Sequence, residues 1–290
     1  MEFFLTGLIN GLSLGGIYAM IALGYTMVYG IAKMLNFAHG DVIMVGGYTI
    51  FVFVAVVHPV FAILFAVVFS VLLGITIEKV AYKPLRGASP LAVLITAIGV
   101  SYLLQSLAQI VFGSSTQMVR GLDMGVIKPL GITVQISSLV TLAVTVVVMI
   151  ALTLFIKYTR LGRAMVAVSE DKGAAQLMGI NVNKIITVTF AIGSALAALA
   201  ALFFLLKAPA VTNTMGAMPG IKAFTAAVIG GIGSIPGAML GGILLGLVES
   251  FAGKISVISP YTDAIEFAIL IVILLVRPTG FLGKKRREKV

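Results

Sequence analysis

Cysteine and tryptophan are missing from this 290-residue chain, histidine occurs twice, and 10% of positions carry a charge. Without cysteine there is no disulfide framework, thiolate nucleophile or thiolate metal site, and the redox compartment stays open. Two histidines and no evident pair of core carboxylates argue against acid–base or nucleophilic catalysis, so no catalytic or metal site is expected. The phosphate-binding string G-x-x-x-x-G-K-[ST] is absent: "GFLGKK" at 280–285 has the wrong spacing and no hydroxyl residue. "GIGSIP" at 231–236 lacks the third glycine and the preceding strand of a dinucleotide fingerprint. Gly233 lies directly before Ser234, so this is no G-x-S-x-G nucleophile elbow either.

What the chain has is apolar surface. Hydrophobic residues make up 60% of it, against about 45–50% apolar and about 25% charged in soluble domains. Such a composition belongs to a polytopic membrane protein whose solvent is the bilayer. A span needs roughly 20 mostly apolar residues. Candidates are Phe3–Tyr29, Gly40–Val57, Val60–Glu78, Leu91–Phe112, Ser138–Ile156, Ile185–Leu206, a broken stretch Phe224–Phe251, and Ala264–Val276. The expectation is one all-α domain over 1–290 with about eight spans, some broken or re-entrant. The alternation of a membrane β-barrel is missing, and lipid demands a backbone satisfied from within. The start, "MEFFLTGLINGLSLGG", has no basic region before its apolar run and reads as a retained first helix.

The formal net charge of +10 would suggest nucleic acid in a soluble protein. Here it reflects the gathering of Lys and Arg on cytoplasmic loops. Lys79, Lys83 and Arg86 stand in one loop; Lys157, Arg160, Arg163, Lys172 and Lys184 in a second, 157–184. The tail 277–290 adds Arg277, Lys284, Lys285, Arg286, Arg287 and Lys289. Together these are fourteen of the 20 basic residues. Two helices separate the internal loops, which therefore share the cytoplasmic face. The segment 113–137, charged at Arg120, Asp123 and Lys128, then lies outside. The side of the N-terminus is left open.

Within the second loop, "SEDKGAAQLMGINVNK" (169–184) interrupts the apolar chain with a short polar helix. Ser169 is expected to cap it, with Glu170 and Asp171 in a first turn where the helix dipole favours anions. Ala174, Leu177 and Met178 share one face, and Gly179 suits the left-handed residue that ends a helix. Some nine residues of helix are too few to persist alone in water. Its apolar face must pack on this chain's own helix ends or dock in a groove of another protein.

Two glycine-containing breaks complete the pattern. In "LNFAHGD" (35–41), Asn36, His39 and Asp41 surround Gly40; the sequence reads as a polar break in which Asn36 and His39 satisfy freed backbone groups. The sharper alternative aims the following helix's amides at a substrate carboxylate. In "GGIGSIPGAMLGG" (230–242), Gly233 ends a helix, Ser234 caps the next, Pro236 sits in its first turn, and Gly237 follows. This break is a kink or the lining of a translocation path. Met44–Gly47 and Met239–Gly242 share Met-Val/Leu-Gly-Gly, a faint repeat of the kind found in transporter halves. Glycines at 7, 11 and 15, at 237 and 241, and at 242 and 246 let helices approach closely, within the subunit or against a second one. Glu249 or Glu266 is expected to pair with Lys254.

Three long strings, "GYTMVYGIAKMLNFAHGD", "IKAFTAAVIGGIGSIPGAMLGG" and "LLVRPTGFLG", resemble the branched-chain amino acid permease family, in the smaller membrane subunit of its high-affinity system. "RAMVAVSEDKGAAQLMGINVNKI" resembles the cytoplasmic coupling loop of ATP-driven importer permeases. The resemblance runs from Gly15 to Gly283 and departs in the outer loop and the basic tail. It implies a multi-pass subunit of the bacterial inner membrane, working beside a second permease subunit, two ATP-binding subunits and a periplasmic binding protein. No cofactor is expected on this chain; ATP and Mg would sit on the partners. The coupling contact would be Ser169, Glu170, Asp171, Ala174, Ala175, Leu177, Met178, Gly179 and Ile180. The translocation path would be Asn36, His39, Gly40, Asp41, Gly233, Ser234, Pro236 and Gly237. A permease for urea, amides or other amino acids, and a stand-alone facilitator, are the competing readings.

Overall fold

A computed structural model describes residues 2–122, 124–128 and 133–283; Asp123 and the tail residues Lys284, Lys285, Arg286, Arg287 and Lys289 lie outside the described residues. The long helices are α1 (Glu2–Ala32), α3 (Pro59–Ile77), α4 (Pro90–Phe112), α5 (Ile136–Tyr158), α8 (Val182–Lys207), α10 (Ile235–Gly253) and α11 (Thr262–Val276). Shorter ones are α2 (His39–Val54), α6 (Arg160–Glu170), α7 (Lys172–Leu177) and α9 (Ala217–Gly230). Seven helices among the described residues are long and apolar enough to cross a membrane, which makes this an all-α multi-pass protein. Short residues with a side-chain oxygen start many of them, as free amides require. Ser89 accepts from the Ala92 amide ahead of α4, Thr159 from Gly162 ahead of α6, and Asn181 from Lys184 ahead of α8. Ser234 accepts from the Gly237 amide at the start of α10, with Pro236 in the first turn as the sequence implies.

Helix α1 is central: residues 17–23 are buried, and α5, α8, α9 and α10 all pack on it. Lipid is as apolar as a leucine side chain, so close packing between small residues supplies much of what holds such helices together. Gly7, Gly11 and Gly15 face Phe251, Leu247 and Ile243 of α10, while Gly242 and Gly246 face Ala19 and Gly15. Gly237 and Gly241 face Gly230 and Ala226 of α9. All three small-residue rows therefore serve packing within the subunit.

The two-residue strands β1 (Gln117–Met118), β2 (Val126–Ile127), β3 (Val134–Gln135) and β4 (Ala210–Val211) pair antiparallel as β1–β4 and β2–β3. They tie the outer loop to the chain leaving α8. The basic loops gather at the opposite end, where Lys172 Nζ donates to Ala32 O at the close of α1, 2.9 Å. The start of α1 thus lies at the end away from the basic loops, a point the sequence leaves open.

Helices α2 and α9 do not fit the pattern of full spans. At ~1.5 Å per residue they extend about 24 Å and about 21 Å, short of the ~30 Å apolar thickness. Residues 33–38 climb back from the cytoplasmic end of α1 and deliver α2 at His39, whose ring sits against Gly24 and Gly193. Gly24 lies eight residues before the end of α1, hence about 12 Å inside. Residues 212–216 descend from the outer strand β4 and deliver α9 at Ala217. The two starts meet backbone to backbone at Gly40 and Gly216. Two short helices thus enter from opposite faces and begin beside each other in the interior.

Candidate functional site

The cytoplasmic loop folds as two helices instead of one. Asp171, with extended backbone, is the cap of α7: its Oδ1 accepts from the Gly173 and Ala174 amides at 2.8 and 3.0 Å. Ser169 and Glu170 belong to the last turn of α6, and the Ser169 hydroxyl donates to Val166 O at 2.7 Å. The expected Ser169 cap is therefore corrected to Asp171. The two residue types cap equally well; Asp171 takes the role because its backbone is extended, whereas Ser169 lies inside helix α6. Gly179 has φ +79°, the left-handed residue that ends α7.

Helix α7 buries one residue, Ala175, against the body of the protein, while Ile180 is half-buried. Ala174 is exposed, and Leu177 and Met178 are 90% and 82% exposed. The expected apolar face exists, and no described residue covers Leu177 and Met178. Two large apolar side chains beside each other in a basic cytoplasmic surface form an unpartnered knob. Lys172, from the same helix, reaches the carbonyl end of α1. Its ammonium is pushed down by burial and, secondarily, by the Arg86 charge.

Where the chain re-enters, the polar residues do more than the sequence reading assigns them. Asn36 Oδ1 accepts from Tyr82 OH at 2.9 Å, and Asp41 Oδ1 accepts from Gln105 Nε2 at 2.9 Å. Asn36, His39 and Asp41 are all buried, and His39 Nε2 has no hydrogen-bond partner among the described residues. The side chains of Asn36 and His39 are thus not caps for freed backbone groups: Asn36 ties to the end of α3, His39 packs on α1 and α8, and Asp41 links α2 to α4. Tyr82 belongs to a π-turn, Glu78–Tyr82, that prolongs α3. In it the buried Glu78 carboxylate is ion-paired with Arg86 and accepts from Thr187 at 2.8 Å, while Arg86 also donates to Asn183. Single-turn π segments of this kind recur at functional places.

Gly233, Ser234, Pro236 and Gly237 do not join that cluster. Gly233 and Ser234 line a polar cavity of about 200 Å³ at the cytoplasmic end with Gly30, Lys33, Ser169 and Glu170. Gly237 instead packs on Gly230. The partner of the α2 start is the start of α9, Gly216 to Gly220, which the sequence reading passes over. Its one sequence signal is the spacing of Gly216 and Gly220, easily lost among 32 glycines. The Met-x-Gly-Gly match is correspondingly misleading, because α10 opens at the cytoplasmic face and α2 inside.

A second cluster forms around a lysine other than the expected one. Lys222 Nζ of α9 lies 3.0 Å from Glu249, 2.8 Å from Asp263 and 3.4 Å from Glu266. Tyr18 OH donates to Glu249 at 2.6 Å. Lys254 pairs with neither glutamate; it donates to Phe3 O and Thr6 at the start of α1. Core carboxylates do assemble here, from positions too far apart in sequence to be seen as a group.

Residues 7–274 match the model of the family described as branched-chain amino acid transport system, permease component. The chain belongs to this family. It is 44% identical to the high-affinity branched-chain amino acid transport system permease protein BraD of Pseudomonas aeruginosa, over 99% of this chain and 98% of that one. It is 42% identical to the corresponding permease protein LivH of Escherichia coli, with the same coverage. A probable branched-chain amino acid transport permease protein of Methanocaldococcus jannaschii is 28% identical over 91% of this chain and 88% of its own. The permease family thus accounts for a chain with abundant apolar helix and no nucleotide-binding string of its own.

Proposed function

We propose that this chain is one membrane subunit of an ATP-driven importer of branched-chain amino acids in the bacterial cytoplasmic membrane. It works with a second permease subunit, two ATP-binding subunits that carry ATP and Mg, and a periplasmic protein that delivers substrate. The observation that carries this reading is the uncovered pair Leu177 and Met178 on α7 in a chain of this family. A helix that short persists because something seats its apolar face. Asp171, Ala174, Leu177, Met178, Gly179 and Ile180 form the contact with an ATP-binding subunit, Ala175 holds α7 to the body, and Ser169 and Glu170 flank the adjoining cavity.

Closure of the ATP-binding subunits would push α7, and Lys172 would pass that displacement to the end of α1. Residues 33–38 follow directly and feed the start of α2. His39, Gly40 and Asp41 would then shift against Gly216, and α2 and α9 would part or close as a pair. Asn36 connects the same movement to Tyr82. Gly233, Ser234, Pro236 and Gly237 shape the cytoplasmic end of the path.

The test is uptake of labelled leucine by the assembled importer in a host lacking its own system. Leu177→Asp with Met178→Asp should abolish uptake and co-purification of the ATP-binding subunit, with membrane insertion preserved. Full uptake by this double variant overturns the docking role.

A further inference from the structure

The ends of α1, α8, α10 and α11 farthest from the basic loops border an open cavity of about 530 Å³. Lys207, Glu249 and Asp263 all line it. Each carboxylate gives one oxygen to Lys222, and both side chains are partly exposed, Glu249 by 26% and Asp263 by 53%. Behind them Glu266 is fully buried, and neither of its oxygens is hydrogen-bonded among the described residues. Lys222 thus serves three carboxylates, and a second ammonium, Lys254, also lines the cavity while donating to Phe3 O and Thr6. Lys207 is half-buried, and its one hydrogen bond among the described residues is a long one, 3.4 Å to Asn10 O. Two carboxylates and two ammonium groups thus line one space. A ligand carrying both charges would make charge-assisted hydrogen bonds to each kind of group.

We propose that this cavity is an outer way-station for a zwitterionic amino acid, with its ammonium between Glu249 and Asp263 and its carboxylate at Lys207 Nζ. The proposal rests on the permease reading and adds where the substrate's charged backbone is held. Leu14 is the one large aliphatic residue among the lining residues, so the site reads the zwitterion and not the side chain. Selectivity among aliphatic side chains then lies elsewhere.

The test is equilibrium binding of tritiated leucine to the full chain in nanodiscs, with two competitors that each carry half of the zwitterion. These are 3-methylbutylamine, without the carboxylate, and 4-methylpentanoate, without the ammonium. Lys207→Gln should weaken leucine by about tenfold or more, the loss of one charge-assisted bond, and leave competition by 3-methylbutylamine unchanged. Asp263→Asn should weaken leucine and 3-methylbutylamine and spare 4-methylpentanoate. Lys207→Arg should restore binding, which separates loss of charge from misfolding. Leucine, valine and alanine should bind within a few-fold of one another. Absence of saturable leucine binding to the unaltered chain overturns the proposal, as do variants that lose both competitors alike or a strong preference among side chains. Leucine uptake by the unaltered importer, measured separately, tests the permease reading on its own.

Discussion

Gly40 and Gly216 are among the residues whose size the interior can least forgive. A Cβ on either would fall on the other's carbonyl, and the obstacle is backbone that cannot rotate away. Overpacking of a core typically costs about 1–3 kcal/mol, and a backbone obstacle puts these sites at the upper end. Gly216→Ala and Gly40→Ala should each lower the unfolding midpoint in detergent by several degrees. Gly99, in the middle of α4 with nothing near its Cβ position, is the control. Gly99→Ala should leave the midpoint unchanged or raise it, since alanine is the better helix former by up to ~1 kcal/mol. Equal losses at all three positions would mean that the backbone contact between α2 and α9 is not what matters. Lys33 shows a different kind of constraint: it is the one non-glycine residue with positive φ, 62°, among the described residues. It stands where α1 must turn back into the interior.

At the scale of elements, α7 is the least self-sufficient piece of the chain. Six residues of helix rest on the Asp171 cap, the buried Ala175 and the Lys172 bond to α1. Asp171→Ala removes acceptors for two amides, worth about 1 kcal/mol, and should fray α7 without unfolding the membrane helices. Gly179→Val forces a β-branched residue into the left-handed region, a strain of order 1–3 kcal/mol, although no neighbour crowds its Cβ position. Both variants should therefore insert normally and keep the thermal midpoint. ATP hydrolysis stimulated by the binding protein should fall several-fold, while basal hydrolysis persists. Unchanged stimulation in both would remove α7 from the coupling route.

For the whole molecule, the central claim is that the Leu177 knob and the outer strands lie on opposite faces of the membrane. The absence of native cysteine makes this directly measurable. Leu177→Cys should react with a membrane-impermeant maleimide in inside-out vesicles and stay protected in intact cells until the membrane is opened. Met118→Cys, on the exposed strand β1, should show the reverse. The same labelling at both positions from one side would invert the arrangement. Opposite entry of α2 and α9 also gives the protein two short helices whose starts meet away from either surface, an arrangement transporters use for substrate and coupling sites.

The sequence by itself determined the membrane class, most helix starts and the family, because these depend on local runs: apolar stretches, caps and prolines. It also placed a short polar helix after residue 169, although it chose Ser169 over Asp171 as the cap, since both residue types cap equally well on paper and geometry selects the one with extended backbone. Only the tertiary structure decided what meets what. That Gly40 faces Gly216, that Lys222 and not Lys254 gathers Glu249 and Glu266, and that the glycine rows pack internally are all contacts between distant positions. A residue's type announces its chemistry; which groups stand across from it depends on how whole helices lie against one another.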